Sequence, residues 1–295
     1  MLIIVASVIF LGCAQIGCAQ KGNILYFQNS NSRPTYFSIH NVRDAWKVSK
    51  GAGVKVGILD HSFGYDVHKG LYAGGNNFQT GFGDFNNDSH HGFWMASVLR
   101  EIAPEVDIYA LGTYSSDESK KVDAMVRAID WAIAQDLDVL TYSAARFTPE
   151  NRERLDSAVD RALAKGIAFT FIHYPHPGNI LPYRLGPRSG DGDDEREPDV
   201  NILHYDYSVV FIKEYVDWVQ DGMPSSYHPF KSISSLSPVA AGFVALLMSV
   251  RPDLKPMELK RILMETSRET VFEGLKSPRT VDIAAALRSV TKLQK

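Results

Sequence analysis

The sequence predicts an α/β domain built on a mostly parallel sheet with helices on both faces. Short apolar, β-branched runs alternate with amphipathic helical stretches from Val42 onward, the pattern of repeated strand–helix units. The runs are apolar at successive positions rather than at every second one, as in strands covered on both sides. The chain is long enough for one large core, with 295 residues of which 45% are hydrophobic and 22% charged.

VRDAWKVSKG (Val42 to Gly51) reads as a short amphipathic helix closed by glycine. VKVGILD (Val54 to Asp60) reads as the first strand. Gly74 to Asn87, rich in Gly, Asn and Phe, reads as a loop. HGFWMASVLREIAP (His91 to Pro104) has helical spacing at Trp94, Val98 and Ile102, and Pro104 ends it. VDIYALGTY (Val106 to Tyr114) is a second strand, SKKVDAMVRAIDWAIAQD (Ser119 to Asp136) a strongly amphipathic helix, and LDVLTYSAA (Leu137 to Ala145) a third strand. A helix over Glu150 to Lys165 closes at Gly166, and IAFTFIHY (Ile167 to Tyr174) is the fourth strand. Pro175 to Pro198 holds prolines, glycines and the acidic run DGDDEREPD, and breaks the pattern as a surface loop. ILHYDYSVVFI (Ile202 to Ile212) reads as strand again. SPVAAGFVALLMSV (Ser237 to Val250) is apolar on nearly all sides, which predicts a buried helix too short to span a bilayer. KPMELKRILMETS (Lys255 to Ser267) is a last amphipathic helix with Pro256 in its first turn.

A net charge of −3 with no basic tract argues against a nucleic-acid partner. The N-terminus MLIIVASVIFLGCAQIGCAQ carries an apolar run from Leu2 to Gly12 that suits the core of an export signal. Residues 1–20 therefore read as a signal peptide or a lipoprotein signal, with Cys13 or Cys18 as the candidate lipid-bearing residue and the only expected tie to a membrane. Lys21 to about residue 35 is polar and turn-rich and reads as a linker. The expected location is secreted, periplasmic or lipid-anchored in a bacterial envelope. Removal of the signal leaves no pair of cysteines, so disulfides play no part in stability.

Open parallel sheets build their sites at the carboxyl ends of the strands. Asp60 ends the first strand in GILDHSFGYDVH, His91 opens a helix in NNDSHHGFWMAS, and Ser234 precedes the buried helix in SISSLSPVAAG. A serine hydroxyl becomes a nucleophile when a base takes its proton, and a carboxylate can hold that base in the required tautomer. Each residue alone has a structural alternative. Asp60 is a natural turn former, His90 and His91 are natural loop residues, and Ser232, Ser234, Ser235 and Ser237 are natural helix caps.

Taken together and in order, the segments resemble those of the subtilisin-like serine proteases, from about Tyr36 to the C-terminus. ILD is similar to the family's apolar strand ending in the catalytic aspartate. NDSHHGFWMAS resembles its N-S-H-G-T-H-V-A-G, with Trp94 in place of the second histidine. SISSLSPVAAG resembles its G-T-S-M-A-S-P-H-V-A-G. The resemblance implies a subtilisin-like three-layer fold over residues 36–295, with Asp60, His91 and Ser234 as the catalytic triad. It implies a serine endopeptidase acting on a peptide or protein substrate, with no required cofactor.

The chain departs from the family at Ser232, Ile233, Ser235 and Leu236. It departs again at Pro175, which stands where the family has the asparagine of its oxyanion hole. Proline has neither a side-chain donor nor a backbone N–H. Asn179 and His176 are the candidate substitutes. LTYSAAR is similar to the family's substrate-binding edge, which implies that Ser143, Ala144 and Ala145 line the primary pocket and that an extended peptide adds as a strand. Asp84, Asn86 and Asp88 alternate as in calcium loops, with a turn-rich loop as the other reading and most ligands of an EF-hand missing. No metal site is assigned. The departures leave a second expectation open, a catalytically impaired member that binds peptides or partner proteins.

Overall fold

The computed structural model describes residues 39–143, 147–172, 174–180, 233–272 and 275–292. The strands are β1 (Lys55–Asp60), β2 (Gly74–Asn77), β3 (Asp107–Gly112), β4 (Val139–Tyr142) and β5 (Ala168–Phe171). They form one sheet in the order β2-β3-β1-β4-β5, with every pairing parallel. β1 lies at the centre, and its last residue, Asp60, pairs with Gly112 at the end of β3.

The helices are α1 (Val42–Ala45), α2 (His91–Ile102), α3 (Glu118–Ala134), α4 (Pro149–Ala164), α5 (Leu236–Met248), α6 (Pro256–Glu265) and α7 (Ile283–Lys292). Side chains alternate across the sheet, so each strand feeds two cores. Val56, Ile58, Ile108, Ala110 and Val139 pack with α2 and α5 on one face. Leu59, Leu111, Leu140, Phe169 and Phe171 pack with α3 and α4 on the other. This is the three-layer arrangement the sequence predicts.

Local signals explain several boundaries. Asp117 caps α3 by accepting from the Lys120 N–H at 3.1 Å. Pro149 opens α4, and Gly166 follows its end at φ 87°. Every residue of α5 is buried, as its all-round apolar sequence requires. A Cβ on Gly242 would come within 2.4 Å of Ile102, so glycine is what lets α5 lie close on α2.

Two expectations need correction. Gly74 to Asn77 is not loop but the edge strand β2, because its backbone pairs with β3. A Cβ on Gly75 would sit 2.4 Å from the Ala110 carbonyl oxygen, so the glycines that suggest a turn permit a close strand. The helix after Pro256 is not the last element. An antiparallel pair, β6 (Arg268–Phe272) and β7 (Leu275–Thr280), and then α7 follow it. The strand expected at Ile202 to Ile212 lies outside the described residues.

Candidate active site

Asp60 ends the central strand and is 6% exposed. The chain then turns sharply, with Ser62 at φ 53° and Gly64 at φ 55°. This turn is laced to the start of α2. His90 N–H donates to the Ser62 carbonyl at 2.9 Å and Gly92 N–H to the His61 carbonyl at 2.8 Å. Phe63 and Ser89 form an antiparallel bridge. A Cβ on Gly92 would lie 2.4 Å from the His61 oxygen, so glycine there permits the close approach.

That lacing sets His91 over Asp60. His91 Nδ1 lies 2.7 Å from Oδ2 and 2.9 Å from Oδ1 of the carboxylate. A carboxylate only accepts, so Nδ1 carries the proton and Nε2 presents a lone pair. The His61 N–H donates to Oδ1 at 2.8 Å and fixes the carboxylate from its other side. Burial pulls the His91 pKa down, but the hydrogen bond and the charge of Asp60 outweigh it and hold the imidazole above its ordinary value.

Ser234 lies in a 3₁₀ turn, Ile233–Ser235, that leads into α5 and packs against α2. The Ser143 hydroxyl, one residue beyond β4, donates to the Ser234 carbonyl at 2.8 Å and lies 3.2 Å from Met95 Sδ, one helical turn after His91. The Ser234 hydroxyl lies 3.4 Å from the Ser143 carbonyl oxygen. The start of α5 is pinned by Ser237. Its hydroxyl lies 2.9 Å from the Tyr142 carbonyl oxygen, 2.8 Å from Thr141 Oγ1 and within hydrogen-bond reach of the Thr170 carbonyl oxygen, with one proton to give among them, and its own carbonyl accepts from Thr170 Oγ1 at 3.1 Å. The ends of β1, β4 and β5, the start of α2 and the turn before α5 thus meet at one end of the sheet. The Ser234 amide belongs to the N-terminal end of α5, where the helix dipole favours negative charge.

Other predicted residues have different uses. Asn179 donates both amide hydrogens to backbone, to the Phe171 carbonyl at 2.7 Å and the Tyr174 carbonyl at 2.9 Å, and accepts from the Phe171 N–H at 3.0 Å. It closes the loop after β5 and has no amide hydrogen left for an oxyanion. His176 Nε2 sits 3.2 Å from Asp160 on α4, and Nδ1 accepts from the Gly178 N–H at 3.2 Å. Its ring stacks on Tyr174, so it too serves the loop. Asp84 Oδ1 accepts from the Asn86 and Asn87 N–H groups at 2.8 and 3.1 Å, and Oδ2 from the Asn87 amide at 3.0 Å. Asp88 Oδ2 accepts from the Ser62 hydroxyl at 2.7 Å. Asp84 thus holds the backbone of its own loop, and Asp88 ties that loop to the turn after β1. Ala144, Ala145, Cys13 and Cys18 lie outside the described residues. Among the described residues no helix is long and apolar enough to cross a membrane.

Sequence reasoning missed His61. Its ring stacks on His91 with centroids 5.8 Å apart and planes 16° apart, and Tyr114 meets it edge-on at 4.7 Å. Burial lowers its pKa against the raising influence of Asp60. The available signal was its position, directly after the aspartate at the end of the central strand. Asp60, His61 and His91 present ligand atoms within 4.8 Å of one another, a grouping the sequence did not reveal.

No protein-family model matches the chain. Subtilisin DY from Bacillus licheniformis is 34% identical over 235 residues, a match covering 74% of this chain and 85% of the relative. Fervidolysin from Fervidobacterium pennivorans, a keratinolytic enzyme related to subtilisin, superposes with a TM-score of 0.63 at 19% identity, over 85% of this chain and 45% of that structure. A lanthipeptide protease superposes with a TM-score of 0.59 at 15% identity, over 87% of this chain and 93% of the other. At those identities the two structures attest a shared fold; the match to subtilisin DY reaches further.

Proposed function

Because the chain belongs to the subtilisin-like serine protease family, we propose that it is an exported endopeptidase cutting peptide bonds through Asp60, His91 and Ser234. The observation that carries this reading is the seating of His91 Nδ1 on the Asp60 carboxylate at 2.7 and 2.9 Å. It leaves Nε2 as the basic nitrogen.

The chemistry follows from that tautomer. His91 Nε2 takes the Ser234 proton as Oγ attacks the scissile carbonyl carbon. The imidazolium formed lies against Asp60, which stabilises it. The tetrahedral oxyanion faces the Ser234 amide at the start of α5. His91 then returns the proton to the leaving amine, and a water attacks the acyl-serine with the same base. An extended peptide lies along Ser143, Ala144 and Ala145. The reaction needs no cofactor. Residues 1–20 direct export, with Cys13 or Cys18 as the lipid site if the signal is of the lipoprotein kind; 21–35 link; 36–295 form the peptidase domain.

Labelling with a fluorophosphonate probe, alongside peptide hydrolysis, tests the reading. The wild type is expected to label at one site and Ser234→Ala not at all. A folded wild type that neither labels nor cleaves refutes it. One observation favours a second reading, a family member that holds peptides without cutting them. Position 175 is proline, and Asn179 and His176 are engaged elsewhere, so neither supplies the side-chain donor usual in an oxyanion hole. Losing one such donor costs about 10²–10³ in rate in the best-studied case. Peptide binding by a wild type that does not label supports this second reading.

A further inference from the structure

We propose that Asp60 Oδ1, His61 Nε2 and His91 Nδ1 form a site for one divalent transition-metal cation of the zinc class, whose binding switches off Ser234. The three ligand atoms lie within 4.8 Å of one another. Oδ1 is 2.9 Å from His91 Nδ1 and 3.9 Å from His61 Nε2. Ligands on a tetrahedral zinc at about 2.0–2.1 Å stand roughly 3.3 Å apart, between those two values. Both rings are partly exposed, at 16% for His61 and 24% for His91, so a cation can enter from solvent.

The hydrogen bonds around His61 prepare it as a ligand. The Ser62 hydroxyl gives its one proton to Asp88 at 2.7 Å. It can therefore only accept at the 2.9 Å contact with His61 Nδ1. Nδ1 then carries the ring proton, and Nε2, which keeps the lone pair, lies 3.9 Å from a carboxylate oxygen. Two acceptors so placed are brought together by an electrophile between them. A relay from the outer ring nitrogen to a carboxylate also orients histidines in metal sites. Ser62 holds φ 53°, a conformation that glycine adopts more readily, while its hydroxyl makes this relay.

The consequence at His91 follows from one proton. A cation on Nδ1 takes the place of the proton shared with Asp60. The neutral imidazole then carries its proton on Nε2, which donates and no longer accepts. No bond to Ser234 is needed for the block. Binding stands independently of the protease reading; the loss of activity rests on it.

The test uses untagged full-length protein and Zn²⁺ in competition with a chromophoric chelator, with Co²⁺ absorption to identify ligands. One zinc per chain is expected, with a cobalt spectrum of nitrogen and oxygen ligation and no thiolate band. His61→Asn is expected to weaken binding about tenfold or more, Ser62→Gly to weaken it less, and Ser234→Ala to leave it unchanged. Zinc should suppress fluorophosphonate labelling of the wild type, EDTA should restore it, and the ratio with and without zinc should collapse in His61→Asn. Zinc uptake that is absent, or equal in wild type and folded His61→Asn, overturns the site. Bound zinc with undiminished labelling overturns the switch. If the wild type never labels, the protease reading fails while the zinc count still decides the site.

Discussion

Replacing Asp60 by asparagine tests the proposed triad at its most constrained contact. The His61 N–H donates to Oδ1 at 2.8 Å, so in Asp60→Asn the new amide oxygen keeps that place. The amide nitrogen then falls where Oδ2 stood, 2.7 Å from His91 Nδ1. A donor now stands at the nearest contact, and the amide oxygen, 2.9 Å away, already accepts from the His61 N–H, so the tautomer with Nδ1 bare and the proton on Nε2 is favoured. The base is then in the wrong tautomer, and the imidazolium has lost its counter-charge. The same exchange in another serine protease lowers kcat about 10⁴-fold, which is ~5.5 kcal/mol at 1.36 kcal/mol per tenfold. The assay is the second-order rate of fluorophosphonate labelling, with circular dichroism to verify the fold. A folded Asp60→Asn variant labelling within tenfold of the wild type would refute the tautomer argument.

Three further outcomes are expected. The labelling rate should rise with pH with a midpoint above 6.5, because burial lowers the His91 pKa less than Asp60 raises it; a midpoint at or below 6.5 contradicts this. The same shift makes the charged His91–Asp60 pair stabilising below pH 6.5, a contribution lost as pH rises through the folded pKa. His40 is fully buried, with Nδ1 donating to the Val281 carbonyl at 2.8 Å and Nε2 without a partner among the described residues; burial pushes its pKa down to about 4. The unfolded chain takes up this proton first, so stability present above pH 6.5 should fall by about 3 kcal/mol as pH drops to 4, and chemical denaturation of His40→Gln should show a shallower fall. Gly92→Ala should cost about 1–3 kcal/mol of stability by forcing α2 from the His61 carbonyl, and on the order of 100-fold in labelling by moving His91 off Asp60. A melting curve and labelling rate both equal to wild type would count against that account.

The strand–helix alternation was legible in the sequence because it is a local pattern, and so was the place of Asp60 at the end of the central strand. Successive apolar residues mark a strand buried on both faces, and a polar residue ending such a run marks the sheet's carboxyl end. β2 was not legible, because GGNN has no apolar pattern and becomes a strand only by pairing with β3. The use of Asn179 was also hidden. An asparagine near a strand end suits an oxyanion donor and a loop closer equally, and only the positions of the Phe171 and Tyr174 carbonyls decide between them. Ser237 read as one more serine beside Ser234, yet it is the anchor of α5, because Tyr142 and Thr170 on neighbouring strands reach it. The relay from Asp88 through Ser62 to His61 crosses 26 positions in its Ser62–Asp88 bond, through the left-handed turn after β1. Residue types and their order determine which chemistry this chain carries. The closing of distant backbone turns on one another decides which atom of each side chain is left to perform it.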